Sequence, residues 1–343
     1  MRYREAGVDI GRADAVKEAI GGAVRATWGP AVRQLPGGFA GVMSWPPGGP
    51  GVPLLAATMD GVGTKLHLAI EAGRVEDAAA DLVYHCADDL LAHGARPLAL
   101  LDYVAQSRLD PAVVGAAVRG LARACAEVGA VLLGGETAEM PDTYLPGVVD
   151  VAGCMIGSVM PGSLLGVAQA RPGDVLLGLG SDGLHTNGFS LARRVRSASG
   201  LSLGDRLPAG AGESVGDALL APHRWYGPAL APQIERGRIR ALAHVTGGGI
   251  AGNLVRVLPQ GGRARVSAGS WPRPALFSWL IAAGAIPEED ARQAFNLGIG
   301  MIIVCDPGEA DALASDLARS GERVWRIGEV SAGERGVEWS ETA

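Results

Sequence analysis

The 343-residue sequence has few cysteines, no long apolar segment and almost no lysine, and these scarcities exclude several classes of protein. No apolar run approaches the roughly 18 residues of a membrane span, so we expect a protein that does not cross a membrane. The start, MRYREAGVDIGRADA, lacks the apolar core of a signal peptide, which predicts a cytoplasmic protein. A net charge of -6 gives no reason to expect nucleic acid or an acidic membrane as a partner.

The four cysteines are far apart, and no two have the spacing of a metal site or a redox motif. They are Cys86, Cys125, Cys154 and Cys305. Each lies in an apolar segment, which is typical of buried free thiols in a reducing compartment. We therefore expect neither disulfides nor a cysteine-ligated metal.

Lysine occurs only twice among the 30 basic residues, and one of the two is Lys65, at the end of the segment DGVGTK. Gly61 and Gly63 let the backbone approach a phosphate, and a lysine ammonium is a compact charge that neutralises one. The carboxylate of Asp60 suits Mg²⁺. The segment is not the P-loop signature, which requires Gly-x-x-x-x-Gly-Lys-Ser/Thr. The alternative is a surface lysine placed by chance.

Strand-like apolar runs alternate with helical periodicity along the chain, which favours an α/β (α+β) fold. The length predicts about two domains on a prior of ~150 residues each. A break near residue 165 divides an N-terminal domain, 1–165, from a C-terminal α/β domain, 166–343. Residues 1–50 are loop-rich because they are dense in glycine and proline. Strands are predicted at 52–60, 96–105, 130–141, 148–160, 174–183 and 300–307.

Two helices have clear boundary signals. The first, at 75–93, has apolar periodicity and stops at Gly94. The second, at 110–130, has Asp110 as N-cap, a proline after it and Gly129 after its end.

Polar residues share one face of the helix at 75–93, where Asp81, His85, Asp88 and Asp89 recur at helical offsets. Acidic residues on a helix usually form a solvated face. The rest of this helix is apolar, however, so a narrow carboxylate patch on a buried helix favours a metal–phosphate site.

Three glycine-rich segments complete the candidate chemistry. GGETAEMP places Glu136 and Glu139 beside glycines, which suits Mg²⁺ or ribose hydroxyls, although a tight turn with surface acids is the alternative. The segments SDGLHTNG and HVTGGG each precede a helix, where unpaired N–H groups attract anions. They contain His185 and His244, which are either functional or structural histidines.

Together these segments resemble the phosphoribosylformylglycinamidine cyclo-ligase family, the aminoimidazole ribonucleotide synthetases of purine biosynthesis. The similarity extends from YREAGVDI at 3–10, through GGFAG, DGVGTK, GARPLALLDY and LLAPHRWY, to WRIGEV near the end. GGETAEMP and HVTGGG are its most specific segments.

The resemblance implies an ATP- and Mg²⁺-dependent ring closure of formylglycinamidine ribonucleotide to 5-aminoimidazole ribonucleotide, with release of ADP and phosphate. It also implies a homodimer in which strands of the N-terminal domains pair across the dimer into a β-barrel.

Site residues follow from the same resemblance, position by position. The implied ATP-binding residues are Gly37, Gly38, Phe39, Asp60, Gly61, Gly63, Thr64, Lys65 and Glu136. The implied Mg²⁺ ligands are Asp60 and Asp89, and the implied catalytic residues are Lys65, His185 and His244. The implied substrate-binding residues are Asn187, Thr246, Gly247, Gly248 and Gly249. Both histidines qualify as the general base.

The sequence departs from the family pattern at Asp88, where the family usually has Asn, and in the LPGGFAG loop. Selenophosphate synthetase and thiamine-phosphate kinase are rival enzymes of the same superfamily. The first usually has a reactive Cys or selenocysteine near its N-terminus, and the second lacks a GGETAEMP-type segment. A non-catalytic nucleotide-binding regulator is a rival of another class.

Overall fold

The computed structural model describes residues 51–166 and 169–340, and within the first 50 residues it describes 1–2, 11, 15, 22–33, 37–45 and 49. The segment YREAGVDI lies outside these residues. Two six-stranded sheets with their helices form the described chain, which confirms a two-domain fold of mixed α and β structure. In this part of the chain, no helix combines the length and apolar character needed to cross a bilayer.

The first sheet belongs to the N-terminal half. Its strands are β1 (Val32–Arg33), β2 (Gly41–Ser44), β3 (Leu54–Gly61), β4 (Arg96–Gln106), β5 (Val131–Glu139) and β6 (Val149–Val159). They lie in the order β1-β2-β3-β6-β4-β5, and only the β4–β5 pair is parallel. The four strands predicted in this half are confirmed, whereas the loop-rich reading of residues 1–50 missed β1 and β2.

The helices of this half include α1 (Lys65–Glu71), α2 (Val75–Leu91) and α3 (Pro111–Val128), of which α2 and α3 pack on the sheet. As predicted, Asp110 caps α3 by accepting a hydrogen bond from Ala112 N at 2.8 Å, and Gly129 ends it with φ 75°. The two longer helices approach closely at Gly120, where an added Cβ would lie 1.9 Å from Glu76 O. Only glycine fits there, so α2 is held tightly against α3.

The second sheet belongs to the C-terminal half. Its strands are β7 (Val175–Gly180), β8 (Ala241–His244), β9 (Gly262–Ser267), β10 (Ile299–Cys305), β11 (Val324–Ala332) and β12 (Gly336–Ser340). They lie in the order β12-β9-β11-β7-β10-β8, and only the β9–β12 pair is parallel. The helices are α4 (Phe189–Ser199), α5 (Val215–Leu219), α6 (Gly227–Glu235), α7 (Gly249–Leu254), α8 (Ala275–Gly284), α9 (Glu288–Ala294) and α10 (Ala310–Arg319).

The apolar core is continuous between the two halves. One cluster of buried side chains contains Leu82 of α2 together with Phe189 of α4 and Phe277 of α8. Helix α2 packs on β3, β4 and β6 on one side and on α6 and β8 on the other. Its polar residues therefore lie at the contact between the halves, and the division near residue 165 stays a prediction.

All four cysteines are free, as predicted. Cys86, Cys125 and Cys305 are buried, and Cys154 on β6 is half-buried.

Candidate active site

The polar face of α2 is buried against the C-terminal half. Asp81, His85, Asp88 and Asp89 are each at most 7% exposed, which excludes the solvated-face alternative. Buried carboxylates require partners, because an unpaired charge away from water is costly. The partners come from α1, from the end of β3 and from three segments of the C-terminal half.

Two carboxylates converge on His85. Its Nε2 lies 2.8 Å from Asp60 Oδ2 and 3.9 Å from Asp89 Oδ2, and its Nδ1 lies 2.5 Å from Thr186 Oγ1. Burial alone would lower the pKa of His85, but the charge and hydrogen bond of Asp60, with the charge of Asp89, raise it to about 9. Burial alone would raise the pKa of Asp60, but the charge and hydrogen bond of His85 lower it. His85 thus lies between two carboxylates that favour its protonated form.

The oxygen atoms around His85 are suitable ligands for a hard divalent cation. Thr58 Oγ1 donates to Asp89 Oδ2 at 3.3 Å, which adds a hydroxyl to the carboxylates of Asp60 and Asp89. Oxygen donors of this kind are the ligands that Mg²⁺ prefers. The Asp60 side chain is 41% exposed, so the cluster reaches solvent on this side.

Lys65 is buried at the start of α1, where β3 has just ended. Its Nζ donates to His185 O at 2.9 Å and to Ala221 O at 3.1 Å, and it forms an ion pair with Asp81. These three acceptors use all three donors of the ammonium. Lys65 therefore joins the two halves of the chain, and a phosphate contact requires that one of these bonds be exchanged.

Four of the six histidines lie together in the centre of the molecule. The ring of His185 stacks on His223 with centroids 4.2 Å apart, and His223 Nε2 lies 3.3 Å from His244 Nε2. His85 completes the group, 5.0 Å from His244 between ring centroids. Burial, followed by the charges of neighbouring cationic groups, lowers the pKa of His185 and His223 well below the usual value.

His244 is oriented by a carboxylate. Its Nδ1 lies 2.9 Å from Asp89 Oδ1. Because a carboxylate only accepts, Nδ1 carries the proton and Nε2 carries the lone pair. Burial lowers the pKa of His244, which keeps the ring neutral despite the opposing effect of Asp89.

Arg256 holds the Gly37–Phe39 loop against the C-terminal half. It donates to Gly37 O at 2.8 Å and to Gly38 O at 2.7 Å, and its guanidinium lies 3.7 Å from the centre of the Phe39 ring. On the other side, Phe39 N donates to His93 Nε2 at 2.8 Å. The loop is therefore fixed between the two halves.

The glycine turn that follows β8 is organised by Asn253. Its Nδ2 donates to the carbonyls of Thr246, Gly247 and Gly249 at 2.8–3.3 Å, and its Oδ1 accepts from Arg256 at 3.1 Å. Gly248 and Gly249 have positive φ, of 94° and 64°. Asn187 Oδ1 would lie 3.2 Å from a Cβ added at Gly247, so these proposed substrate-binding residues lie side by side.

Other predicted ATP-binding residues lie nearer the surface. Gly63 and Thr64 are exposed, and Thr64 Oγ1 lies 3.1 Å from Ser190 Oγ. Glu136 is exposed on β5, within the strand and not at its end. Among the described residues, it makes no hydrogen bond or ion pair with the histidine cluster.

Both halves of the chain match known protein families. Two family models match the chain: "AIR synthase related protein, N-terminal domain" at residues 40–159 and "AIR synthase related protein, C-terminal domain" at 171–340. The phosphoribosylformylglycinamidine cyclo-ligase of Sorangium cellulosum (strain So ce56) is 45% identical over 332 residues, which are 96% of this chain and 95% of that protein. The chain belongs to the phosphoribosylformylglycinamidine cyclo-ligase family. It is accordingly a ligase.

Solved structures with the same fold include more distant enzymes. Thiamine-monophosphate kinase from Stenotrophomonas maltophilia K279a matches with a TM-score of 0.62 and 20% identity, covering 94% of this chain and 95% of that chain. T. maritima PurL complexed with ADP matches with a TM-score of 0.56 and 18% identity, covering 87% of this chain and 43% of that chain. At these identities the likeness shows the fold alone, whereas the 45% identity separates this cyclo-ligase family member from the kinase rival.

Two residues of the site, His223 and Arg256, were not found from the sequence of this cyclo-ligase family member. His223 lies in LLAPHRWY, one of the segments that carry the family resemblance, and it is one of only six histidines, but neither signal assigned it a role. Arg256 is one of many arginines, and no local pattern separates it from the others. His223 lies near Asp88, and Arg256 donates a hydrogen bond to Gly37 O. The two residues of each pair are more than 130 positions apart in the sequence.

Proposed function

We propose that the chain converts formylglycinamidine ribonucleotide to 5-aminoimidazole ribonucleotide, using ATP and releasing ADP and phosphate. Family membership supports the reaction class, and the buried carboxylate–histidine cluster between the halves supports the location. The main support for this location of the active site is that the carboxylates of Asp60 and Asp89 both lie near His85 Nε2. Asp89 also contacts His244.

The proposed reaction requires activation of a poor leaving group. The formyl oxygen of the substrate accepts the γ-phosphoryl group of ATP, and the amidine-side nitrogen then attacks the activated carbon. The C–O bond breaks as phosphate leaves, and the nitrogen loses a proton. When bound, Mg²⁺ supplies positive charge that stabilises the phosphate oxygens during transfer.

The chain's own residues have distinct proposed roles. Asp60 and Asp89 hold Mg²⁺ from the end of β3 and from α2. Gly61, Gly63 and Thr64 offer backbone and hydroxyl groups to the triphosphate, and the Gly37–Phe39 loop and Glu136 complete the ATP site. Lys65 contacts the triphosphate after exchanging one of its three acceptors.

The substrate is proposed to bind against the C-terminal half. Asn187, Thr246 and the glycines Gly247, Gly248 and Gly249 line this side. His185 and His244 both qualify as the proton acceptor, and the geometry favours His244. Its Nδ1–H is held by Asp89, so the lone pair on Nε2 is directed away from that carboxylate. This tautomer is the one that a general base requires.

A homodimer is the proposed assembly. Strands β3, β4 and β5 expose a set of large apolar side chains, between 40% and 68% accessible: Met59, Leu98, Leu101, Val131 and Leu133. The edge of β5 is also unpaired in the described chain. Such a face and edge favour pairing with a second copy, as in a cross-dimer barrel. Light scattering should give twice the 35.0 kDa of one chain, and an active monomer would overturn the dimer.

The function is tested by incubating the purified chain with ATP, Mg²⁺ and formylglycinamidine ribonucleotide. We expect ADP and aminoimidazole ribonucleotide in equal amounts, and a large loss of both with His244→Gln. ADP without the imidazole product, or product formation from thiamine phosphate instead, would overturn the proposal.

A further inference from the structure

Three buried histidines of the C-terminal half present ring nitrogens to one another. One nitrogen from each of His185, His223 and His244 lies within 4.8 Å of the other two. The three residues come from the β7–α4 segment, the α5–α6 segment and the end of β8, and each is at most 2% exposed. They supply nitrogen atoms, whereas the ligands proposed for Mg²⁺ are the carboxylates of Asp60 and Asp89, and Asp89 contacts His244 as well.

Several of these nitrogens have no partner. Neither ring nitrogen of His185 makes a hydrogen bond within the described residues, and Nδ1 of His223 makes none either. A neutral imidazole always has one N–H and one lone pair, so burying them without hydrogen-bond partners is unfavourable. Unsatisfied buried polar atoms are uncommon in folded proteins, and a bound water, a bound ion or a catalytic role accounts for them.

A carboxylate of α2 orients one of the rings. His244 Nδ1 lies 2.9 Å from Asp89 Oδ1, whereas Asp88 Oδ2, 3.4 Å from His223 Nε2, makes no hydrogen bond in the described residues. In protein metal sites, a carboxylate commonly binds the outer N–H of a ligating histidine and fixes its tautomer. The same arrangement at His244 directs its Nε2 toward Nε2 of His223, so these two nitrogens are placed to bind one metal.

We propose that His185, His223 and His244 form a binding site for a divalent transition-metal ion of the Zn²⁺ class. Three imidazoles with a fourth, open position are a common ligand set for Zn²⁺, with Zn–N distances of about 2.0–2.1 Å. Nitrogens bound tetrahedrally at that distance lie roughly 3.4 Å apart. His223 Nε2 and His244 Nε2 are already 3.3 Å apart, so modest ring rotations complete the geometry.

The site selects against Mg²⁺, because a hard cation prefers oxygen ligands. Occupation of His244 by the metal also removes the lone pair that the proposed reaction uses. The ion is therefore an inhibitor of the cyclo-ligase, and this consequence alone rests on the proposed function. Metal binding itself does not depend on the proposed function.

The test measures binding without substrates. The full chain is freed of metal with a chelator and titrated with Co²⁺ or Zn²⁺ in excess Mg²⁺, by calorimetry and by the visible absorption of Co²⁺. We expect one ion per chain and the intense bands of tetrahedral Co²⁺. His223→Gln should weaken binding by tenfold or more.

His67→Gln is the matched control, because His67 is exposed on α1 outside the cluster, and it should bind as the wild type does. Equal affinity of the wild type and His223→Gln, or a weak octahedral Co²⁺ spectrum in the wild type, would overturn the site. If His223→Gln fails to fold, the wild-type spectrum alone decides. Because no substrate is present, failure here leaves the cyclisation assay unaffected.

Discussion

Asp88 Oδ2 lies 3.4 Å from His223 Nε2, and neither side chain is exposed to solvent. Asp88 stands where the resemblance leads one to expect Asn, so this chain has an additional carboxyl group in its interior. Burial raises the pKa of Asp88 well above its usual value, even though Tyr226 N donates to Oδ1 at 3.2 Å. Tyr226 N thus satisfies Oδ1, whereas Oδ2 faces His223 without a hydrogen bond in the described residues.

The neighbouring acids Asp88 and Asp89 should respond differently to the same substitution. Asp89→Asn should strongly raise the Mg²⁺ requirement, because a neutral amide is a poor ligand for a hard dication. Asp88→Asn should leave activity largely intact, since its amide oxygen still accepts from Tyr226 N. A Mg²⁺ titration of the initial rate at fixed ATP distinguishes them. The reverse ranking would show that Asp89 is not the metal ligand.

Lys65→Arg should lower kcat by roughly 10²–10³, as expected when one transition-state contact worth about 3–4 kcal/mol is lost. The position is 1% exposed and bounded by Asp81 and two carbonyl groups, which leaves no room for a guanidinium. Single-turnover kinetics measure the effect, and circular dichroism checks the fold. A rate within about twofold of wild type would contradict the role of Lys65.

Arg256→Lys should raise the KM for ATP about tenfold, provided that the Gly37–Phe39 loop binds ATP. Lysine keeps the charge but loses the fork that binds two carbonyls, and about 1.4 kcal/mol corresponds to a factor of ten. Arg335→Lys is the matched control, because Arg335 binds Val255 O in the same turn without a hydrogen bond to the loop. Equal effects of the two variants would indicate a general loosening of the turn.

His93→Gln should change how stability depends on pH. Burial lowers the pKa of His93, so the folded state binds this proton more weakly than the unfolded state, whose pKa is about 6.5. The contribution of His93 is complete above that value and is lost as the pH falls below it, by at most about 1.4 kcal/mol per pH unit. Glutamine still accepts from Phe39 N and does not titrate.

Denaturant unfolding of both proteins at several values between pH 7.5 and pH 5.5 measures this difference. The advantage of the wild type over His93→Gln should shrink as the pH falls. A difference that stays constant would mean that His93 is not protonated on unfolding in this range.

Local signals predicted much of the fold. The cap at Asp110 and the glycine at Gly129 mark the ends of α3 because capping depends on neighbouring residues alone. The shared face of α2 was readable from helical periodicity for the same reason. The strands β9, β11 and β12 were not predicted, since their pairing is decided by distant partners.

The sequence predicted only those site residues that are of a chemically distinctive type and also lie in a distinctive segment. Asp60 and Asp89 were found, and the structure brings both to His85. The contacts of His223 and Arg256 depend on how the C-terminal half closes over α2. No residue spacing in the sequence predicts that the C-terminal half will pack on α2 in this way.

The continuous core around α2 has a consequence for the way the chain folds. Leu82 and its neighbours on this helix are covered by side chains from both ends of the chain, so neither half can bury them alone. A fragment ending near residue 165 would display that surface to other molecules, including chaperones, until the remainder has been synthesised. The site proposed between the halves therefore needs both of them in contact around α2.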